Sequence, residues 1–299
     1  MPPGAVIGLW LILWLGLSSV AAAEASREPA PLLSPRQLSG ADLTILDIRP
    51  RTEFIAGHIP GALSAPYNDF GWRTSRYRRP AVLPRPETLA ARLGRLGLIR
   101  PMKTVVVAGD IGLGALVYWT LKSLGHPHLY LLDGGFQAWK AAGLPLRTGA
   151  PAPRAAADYR PEPDGSIVAD EEFVVDLYDN ARVAIDCRSE IYWGGEKGGP
   201  AQSDPGTIKE ALNLDSRRLL TSSGRFRPEG ELRRLFTRKW VIDDRTAFFG
   251  YDGRHAAICW FALHQIIGNK RARLYDGGIA DWELNGHDIW NLQDGMGAR

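Results

Sequence analysis

An internal repeat constrains the fold of this chain more than any other feature of its sequence. LLDGGFQAWKAAG at 131–143 recurs as LYDGGIADWELNG at 274–286, an offset of about 143 residues, as Asp133 against Asp276 shows. Further blocks repeat in the same order. These are LTILDIRPRTEF (43–54) with VAIDCRSEIYW (183–193), GHIPGAL (57–63) with GTIKEAL (206–212), VVVAG (105–109) with FFGYD (248–252), and SLGH with IIGN. The chain is therefore predicted to contain two copies of one fold.

Each copy alternates short β-branched or aromatic runs with helical patterns. This alternation predicts an α/β fold in which each copy forms a parallel sheet flanked by helices on both faces. The Pro- and Ala-rich stretch at 148–165 has little to bury and is interpreted as a linker. We therefore expect one domain at 33–147 and a second at 166–299.

The N-terminus has the pattern of a secretory signal peptide. Residues 5–17 are apolar and uncharged, and the small residues after them offer a cleavage site at Ala23. The sequence predicts a signal peptide at 1–23, export to the periplasm or the medium, and no membrane span after cleavage. The alternative is an uncleaved anchor, because residues 5–23 are just long enough to cross a bilayer.

Charge and cysteine content exclude several kinds of partner. The 36 basic and 33 acidic residues are interspersed and give a formal net charge of only +3, so nucleic acid is not expected as a partner. One local exception is WRTSRYRR at 72–79, which could bind an unknown protein partner or be a solvated loop. The two cysteines, Cys187 and Cys259, could be free or form one disulfide, and no CxxC or zinc spacing occurs. We expect neither a metal nor a cofactor.

The strand-to-helix turn in each copy is the natural place for an active site. In the second copy the apolar run TAFF is followed by GYDGRHAAICW, and unpaired N–H groups at the start of a helix can stabilise an anion or an activated nucleophile. We take this turn to open at Asp252. The predicted loop consists of Asp252, Gly253, Arg254, His255, Ala256 and Ala257.

The repeated blocks together resemble the tandem rhodanese family of sulfurtransferases. That resemblance implies a cysteine at the start of the second turn, which takes sulfur from thiosulfate or mercaptopyruvate as a persulfide. The corresponding positions are read here as Gly109 and Asp252, neither of which is a cysteine. Because a carboxylate cannot form a persulfide, the resemblance predicts a catalytically degenerate member, a pseudoenzyme that acts through anion or partner binding.

The first loop is predicted to bind a small anion such as thiosulfate or sulfate. Asp252 can cap its helix and fill the second loop with the protein's own carboxylate, whereas the glycines of the first loop are expected to leave N–H groups free. Arg49 and Arg188 match the loop-facing arginine that the resemblance implies, with a surface ion pair as the alternative. The predicted anion-binding residues are Gly109, Asp110, Ile111, Gly112, Leu113, Gly114, Arg49 and Arg188.

Two alternatives to this interpretation remain open. Cys187, in the block IDCRS, could serve as a surrogate thiol in an active sulfurtransferase, or it could be a buried residue like Ile48 in the first copy. Cys259 lies on an apolar helix face and is expected in the core. A dinucleotide site at GDIGLG is not favoured, because the second copy lacks its glycines.

Overall fold

Two parallel five-stranded sheets form the framework of this computed structural model, and they confirm the predicted α/β fold. The structure describes residues 31–76, 79–199, 204–238 and 241–293. At 75–76 and 79–81 only the backbone is described. The twelve strands in this part of the chain are β1 (Leu32–Leu33), β2 (Thr44–Asp47), β3 (Leu63–Ser64), β4 (Thr74–Arg76), β5 (Arg79–Val82), β6 (Thr104–Val107), β7 (Leu129–Leu132), β8 (Val168–Ala169), β9 (Ala184–Asp186), β10 (Leu212–Asn213), β11 (Thr246–Phe249) and β12 (Ala272–Tyr275).

Helices follow most of these strands. Those described are α1 (Pro35–Ser39), α2 (Arg51–Ala56), α3 (Tyr67–Phe70), α4 (Pro86–Arg95), α5 (Ile111–Ser123), α6 (Gly135–Ala141), α7 (Glu171–Asp179), α8 (Glu190–Trp193), α9 (Glu229–Thr237), α10 (Arg254–Trp260) and α11 (Gly278–Leu284). Two short 3₁₀ helices lie at Gly165–Ile167 and Ser216–Leu219, and α10 continues as a π-helix over Phe261–Ile267.

The two sheets have the same strand order. The first is β1-β7-β6-β2-β3 and the second β8-β12-β11-β9-β10, with all neighbouring strands parallel. The central strands β6 and β11 are apolar along most of their length, and every residue of each is buried. Burial on both faces explains why these strands lack the alternating polar pattern of a half-exposed sheet.

The largest hydrophobic core cluster spans both halves, and each half has a smaller cluster of its own. Helices α5 and α10 pack against each other across the junction, and the ring of Tyr118 meets Phe261 edge to face with centroids 4.9 Å apart. Close approach depends on a glycine, because a Cβ on Gly112 would come within 2.7 Å of Arg254 Cγ. Each of these helices follows a central strand, so the two strand-to-helix turns are brought to the junction.

The segment that joins the two domains is anchored along its length. It has no helix or strand between Ala141 and Gly165, as expected of a linker. It nevertheless buries Tyr159, whose hydroxyl lies 3.1 Å from His126 Nδ1, and Ala157 N–H donates to Gly94 O. The expectation that this stretch has little to bury is wrong in this respect.

The arginine-rich stretch at 72–79 is only partly as expected. Trp72 is fully buried, and Arg73 is almost fully buried, donating to Thr120 Oγ1 at 2.9 Å. These two residues fix the start of the β4–β5 hairpin against the rest of the fold and are not part of a solvated loop. Arg78 lies outside the described residues.

The predicted signal peptide at 1–23 also lies outside the described residues. Among the helices that are described, none combines the length and the apolar character needed to cross a bilayer.

Candidate functional site

Each domain buries an arginine just after β2 or β9. The Arg49 guanidinium donates to Asp47 Oδ2 at 2.6 Å and to Gly57 O at 2.9 Å. In the second domain Arg188 makes the matching bonds to Asp186 and Gly206, at 2.6 and 2.7 Å. These are not surface ion pairs, because both arginines are nearly or fully buried. Each carries a charge that its own aspartate already neutralises.

The second turn opens earlier than the sequence suggests. Strand β11 ends at Phe249, so the turn begins at Gly250 and not at Asp252. The N-cap of α10 is Gly253, in the left-handed region at φ 79°, and the helix begins at Arg254. Residues 254–257 of the predicted loop therefore lie in the first turn of α10.

Backbone hydrogen bonds fix which residues of the two turns correspond. The carbonyl of Ala108 accepts from Phe136 N–H at 2.9 Å, and that of Gly250 accepts from Ile279 N–H at 3.0 Å. The two donors follow the repeated Asp-Gly-Gly triplet in their respective copies. Ala108 and Gly250 are therefore the equivalent first residues of the two turns.

The first residue after the strand is thus Gly250 in the second domain and Ala108 in the first. Neither of these residues is a cysteine, and neither is Asp252 or Gly109, the positions that the resemblance assigns. A Cβ built on Gly250 would lie 3.3 Å from His255 Cβ and 3.8 Å from Ala256 N, so a side chain here would point at the start of α10.

The second position of the turn differs between the domains. In the second domain it is Tyr251, whose ring lies 4.8 Å from the Arg188 guanidinium carbon and meets Tyr192 edge to face at 5.3 Å. The same ring packs so closely on Gly199 that a Cβ there would clash with it. In the first domain the position is Gly109. The ring of Tyr251 therefore fills this space in the second domain, whereas Gly109 has no side chain to fill it in the first domain.

A cleft of about 410 Å³ lies at the first turn. Its charged lining consists of Arg49, Glu53, Asp69 and Asp110, and its apolar lining includes Leu113. The described lining thus carries three carboxylates to one arginine, although Glu53 Oε2 lies 3.9 Å from Arg49 Nη1 and Asp110 is paired with Arg254. Such a lining favours a neutral or positively charged ligand over an anion.

The first loop has a resident carboxylate, contrary to expectation. Asp110 Oδ1 accepts from Leu113 N–H at 3.0 Å and caps α5, and Asp110 Oδ2 lies 3.6 Å from Arg254 Nη1. The argument that this loop leaves its N–H groups free for an external anion is therefore wrong.

Only some of the predicted anion-binding residues line the cleft. Gly109, Asp110, Leu113 and Arg49 line the cleft. The others do not: Ile111 packs against the core, Gly112 and Gly114 lie within helix α5, and Arg188 belongs to the second domain.

The predicted loop of the second domain forms the start of α10. Asp252 is exposed, and its Oδ1 accepts from Arg254 N–H at 3.2 Å, so it satisfies one donor of the helix start without being the N-cap. His255 Nδ1 is buried and has no hydrogen-bond partner within the described part, and burial lowers the pKa of this imidazole. Ala256 and Ala257 are fully buried.

Both cysteines are free, and both are fully buried. Cys187 N–H donates to Phe249 O just as Ile48 N–H donates to Val107 O, so Cys187 occupies the core position of Ile48 in the other copy. Its pKa is raised well above the usual value, chiefly by burial. Cys259 is packed in the core, as its apolar helix face predicts.

Sequence reasoning missed two features that decide the character of these sites. One is Tyr251. The sequence signal that could have indicated it is a bulky residue directly after Gly250, the first residue of the turn. The other is the acidic lining of the cleft, because Glu53 and Asp69 come from α2 and α3, far along the chain from the turn. Within the described residues, no three His, Cys, Asp or Glu side chains are grouped as a metal site.

A family model for the rhodanese-like domain matches the chain twice, at residues 34–142 and 171–285. A probable 3-mercaptopyruvate sulfurtransferase of Pseudomonas aeruginosa is 33% identical over 281 residues, which cover 85% of this chain and 95% of that protein. The human 3-mercaptopyruvate sulfurtransferase is 30% identical over 253 residues, covering 83% of this chain and 84% of the human one.

Solved structures share the same two-domain architecture. SseA from Escherichia coli, described with the rhodanese fold of 3-mercaptopyruvate sulfotransferases, superposes with a TM-score of 0.71 at 22% identity. The alignment covers 84% of this chain and 99% of SseA. At this identity the likeness shows the fold alone.

Proposed function

Because this chain belongs to the rhodanese family of tandem-domain sulfurtransferases, we propose that it keeps the family's fold but does not transfer sulfur, and binds a small ligand in the first-domain cleft. One observation carries the proposal. Neither strand-to-helix turn, at 108–114 or at 250–257, contains a cysteine. An open cleft of about 410 Å³ lies beside the first of these.

The alternative activity, with Cys187 as the sulfur carrier, has less support. Sulfur transfer needs an accessible thiolate, because the thiolate attacks the donor and must later present the persulfide to an acceptor. The Cys187 side chain is fully buried, and burial raises its pKa. Substrates such as mercaptopyruvate, named for the human relative, would have no path to this sulfur without a local opening of the core.

The ligand we propose is neutral or positively charged. Glu53, Asp69 and Asp110 line the cleft against one arginine, Arg49, which is paired with Asp47. Glu53 and Asp110 each have one arginine within 4.0 Å, and Asp69 has none among the described residues. A doubly charged anion would meet like charges there, so thiosulfate or sulfate should bind weakly at most. A protein partner that inserts a basic side chain would satisfy the same chemistry.

We also propose that the protein is exported, on the strength of its N-terminal sequence alone. The apolar segment at 5–17 followed by small residues supports cleavage after Ala23. Mass spectrometry of natively produced protein should find a terminus near Glu24 or Ser26. An intact Met1 or Pro2 in the membrane fraction would indicate an anchor instead.

An enzymatic assay tests the absence of sulfur transfer. Wild type and Cys187→Ser are compared with thiosulfate and with mercaptopyruvate as donors and cyanide as acceptor. We expect both proteins to stay at background. Clear turnover by wild type that the serine variant loses would overturn the proposal and establish Cys187 as the carrier.

Ligand binding at the cleft is tested by filling it with a side chain. The substitution introduces at Gly109 the tyrosine that the second domain has at the equivalent position, Tyr251. Gly109→Tyr is suitable because a Cβ on Gly109 meets its nearest atom, Arg49 Cγ, only at 3.7 Å. Backbone amide shifts are followed during titration with tetramethylammonium chloride and with sodium thiosulfate. We expect the cation to shift residues around 108–113 in wild type and not in Gly109→Tyr. A preference for thiosulfate there would contradict the proposed ligand class.

A further inference from the structure

A second groove lies in the second domain, between the 3₁₀ segment at Ser216–Leu219 and helix α9. It has a volume of about 280 Å³. Its lining consists of Arg218, Arg227, Glu231, Arg234, Leu235 and Arg238. Four guanidinium groups thus face one carboxylate, although the chain as a whole is nearly neutral.

One arginine of the groove is held in place by its neighbours. Arg227 Nη1 lies 3.0 Å from Glu231 Oε2, and Arg227 Nε donates to Arg218 O at 2.8 Å. These bonds position Arg227 as one wall of the groove. They also engage Glu231, the one carboxylate among the described residues of the lining.

The other three arginines have no such partner. Within the described residues, no carboxylate lies within 4.0 Å of Arg218, Arg234 or Arg238, and all three are exposed. Their positive charge is therefore not neutralised by neighbouring side chains. Mutual repulsion of this kind is relieved when an anion binds among the guanidinium groups.

Stabilisation of a helix end does not explain the whole cluster. Arg234 and Arg238 lie at the C-terminal end of α9, where positive charge interacts favourably with the helix dipole. Arg218, however, lies in the 3₁₀ helix at Ser216–Leu219 and reaches the same groove from a different segment, and Arg227 lies at the opposite end of α9, just before its N-cap. The convergence of two segments is what a ligand site requires.

The chemistry of the lining identifies the class of ligand. A guanidinium group presents a planar fork of donors that matches two oxygens of a phosphate or sulfate group. Several such forks around one groove suit a tetrahedral oxyanion with two or more negative charges. We propose that this groove binds a phosphate or sulfate group, either as a free anion or as the headgroup of a larger molecule. The site is separate from the first-domain cleft and does not depend on its ligand.

Calorimetric titration with inorganic pyrophosphate, at ionic strength matched with potassium chloride, tests the proposal. We expect saturable binding to wild type and about tenfold or greater weakening in the double variant Arg234→Gln/Arg238→Gln. Arg95→Gln is the matched control, since Arg95 lies in the last turn of α4 and outside the groove. This control should bind like wild type.

A second arm distinguishes the source of the anion. Phosphatidylcholine vesicles are compared with and without phosphatidic acid in a sedimentation assay. Binding of pyrophosphate alone, or of the phosphatidic acid vesicles, supports the site if the double variant loses it. Equal binding by wild type and double variant, or no binding in either arm, overturns the proposal.

Discussion

The carboxylate of Asp276 accepts a hydrogen bond of 2.8 Å from the backbone N–H of Leu83, which belongs to the other domain. The repeat makes this contact reciprocal, since Asp133 Oδ1 accepts from Phe226 N–H at 3.1 Å. The repeated aspartate therefore joins the two copies. Burial raises the pKa of Asp276, and Arg73, with Nη2 3.7 Å from Oδ1, acts in the opposite direction.

Asp276→Ala should cost far more stability than Asp133→Ala. The first change leaves the buried Arg73 guanidinium and the Leu83 N–H without their carboxylate, for which we expect a loss of about 3–5 kcal/mol in the free energy of unfolding. Asp133 is only partly buried, so its removal should cost about 1 kcal/mol. Urea denaturation of both variants measures the difference. Equal losses would mean that the Arg73 contact contributes nothing.

Two buried histidines should make the protein sensitive to mild acid. Burial lowers the pKa of His126 to about 4 and that of His264 to about 3, so both are neutral in the folded protein near pH 5. In the unfolded chain they titrate near 6.5. The unfolded state then binds more protons, and the free energy of unfolding should fall as the pH drops from about 6.5 towards 4, by about 1.4 kcal/mol per unit for each group.

The variant His264→Phe isolates one of these contributions. His264 stacks on Trp260 with centroids 4.7 Å apart, a contact that phenylalanine can keep. Between pH 7 and 5 the fall in the free energy of unfolding should be about 2 kcal/mol smaller than in wild type. From pH 8 to 7 the two proteins should behave alike, because histidine is then mostly neutral in both states. An unchanged fall between pH 7 and 5 would show that His264 is not the group responsible.

The sequence predicts the fold well because its signals are local and repeated. The buried strand TAFF and the Asp-Gly-Gly triplet carry the same pattern in both copies, and both were identified from the sequence. Residues 254–257 were predicted as loop but lie in α10, because apolar periodicity does not tell where a compact turn gives way to a helix. The acidic lining of the cleft was missed, since Glu53, Asp69 and Asp110 meet only through tertiary packing.

Removal of the Tyr251 side chain should create a cleft in the second domain that resembles the cleft of the first domain. Tyr251→Gly removes the ring that lies against Arg188 and Tyr192, and it reproduces the residue found at the equivalent Gly109. We expect a loss of about 2 kcal/mol in the free energy of unfolding, less than for a fully buried ring, because Tyr251 is only partly buried. Tyr192→Ala is the matched control, since it removes a neighbouring ring and leaves Tyr251 in place. Thermal unfolding measures the stability of both, and a loss below 1 kcal/mol would show that Tyr251 does not pack tightly there.

A thiol at Gly250 should restore sulfur transfer where one at Asp252 does not. A side chain at Gly250 points at the start of α10, with its Cβ 3.8 Å from Ala256 N, where helix N–H groups lower a thiol's pKa and stabilise its thiolate. Asp252 is exposed and lies two residues beyond the first position of the turn, so Asp252→Cys is the matched control and should stay at background.

The donor must also reach the new thiol, and Tyr251 lies beside it. We therefore expect little turnover from Gly250→Cys alone and a rate at least about tenfold above background from Gly250→Cys/Tyr251→Gly, assayed with thiosulfate and cyanide. Persulfide on the new cysteine, detected by mass spectrometry after treatment with thiosulfate, identifies the carrier directly. A double variant that folds, as near-ultraviolet circular dichroism reports, yet forms no persulfide would show that the first position of the turn is not where this fold activates a thiol.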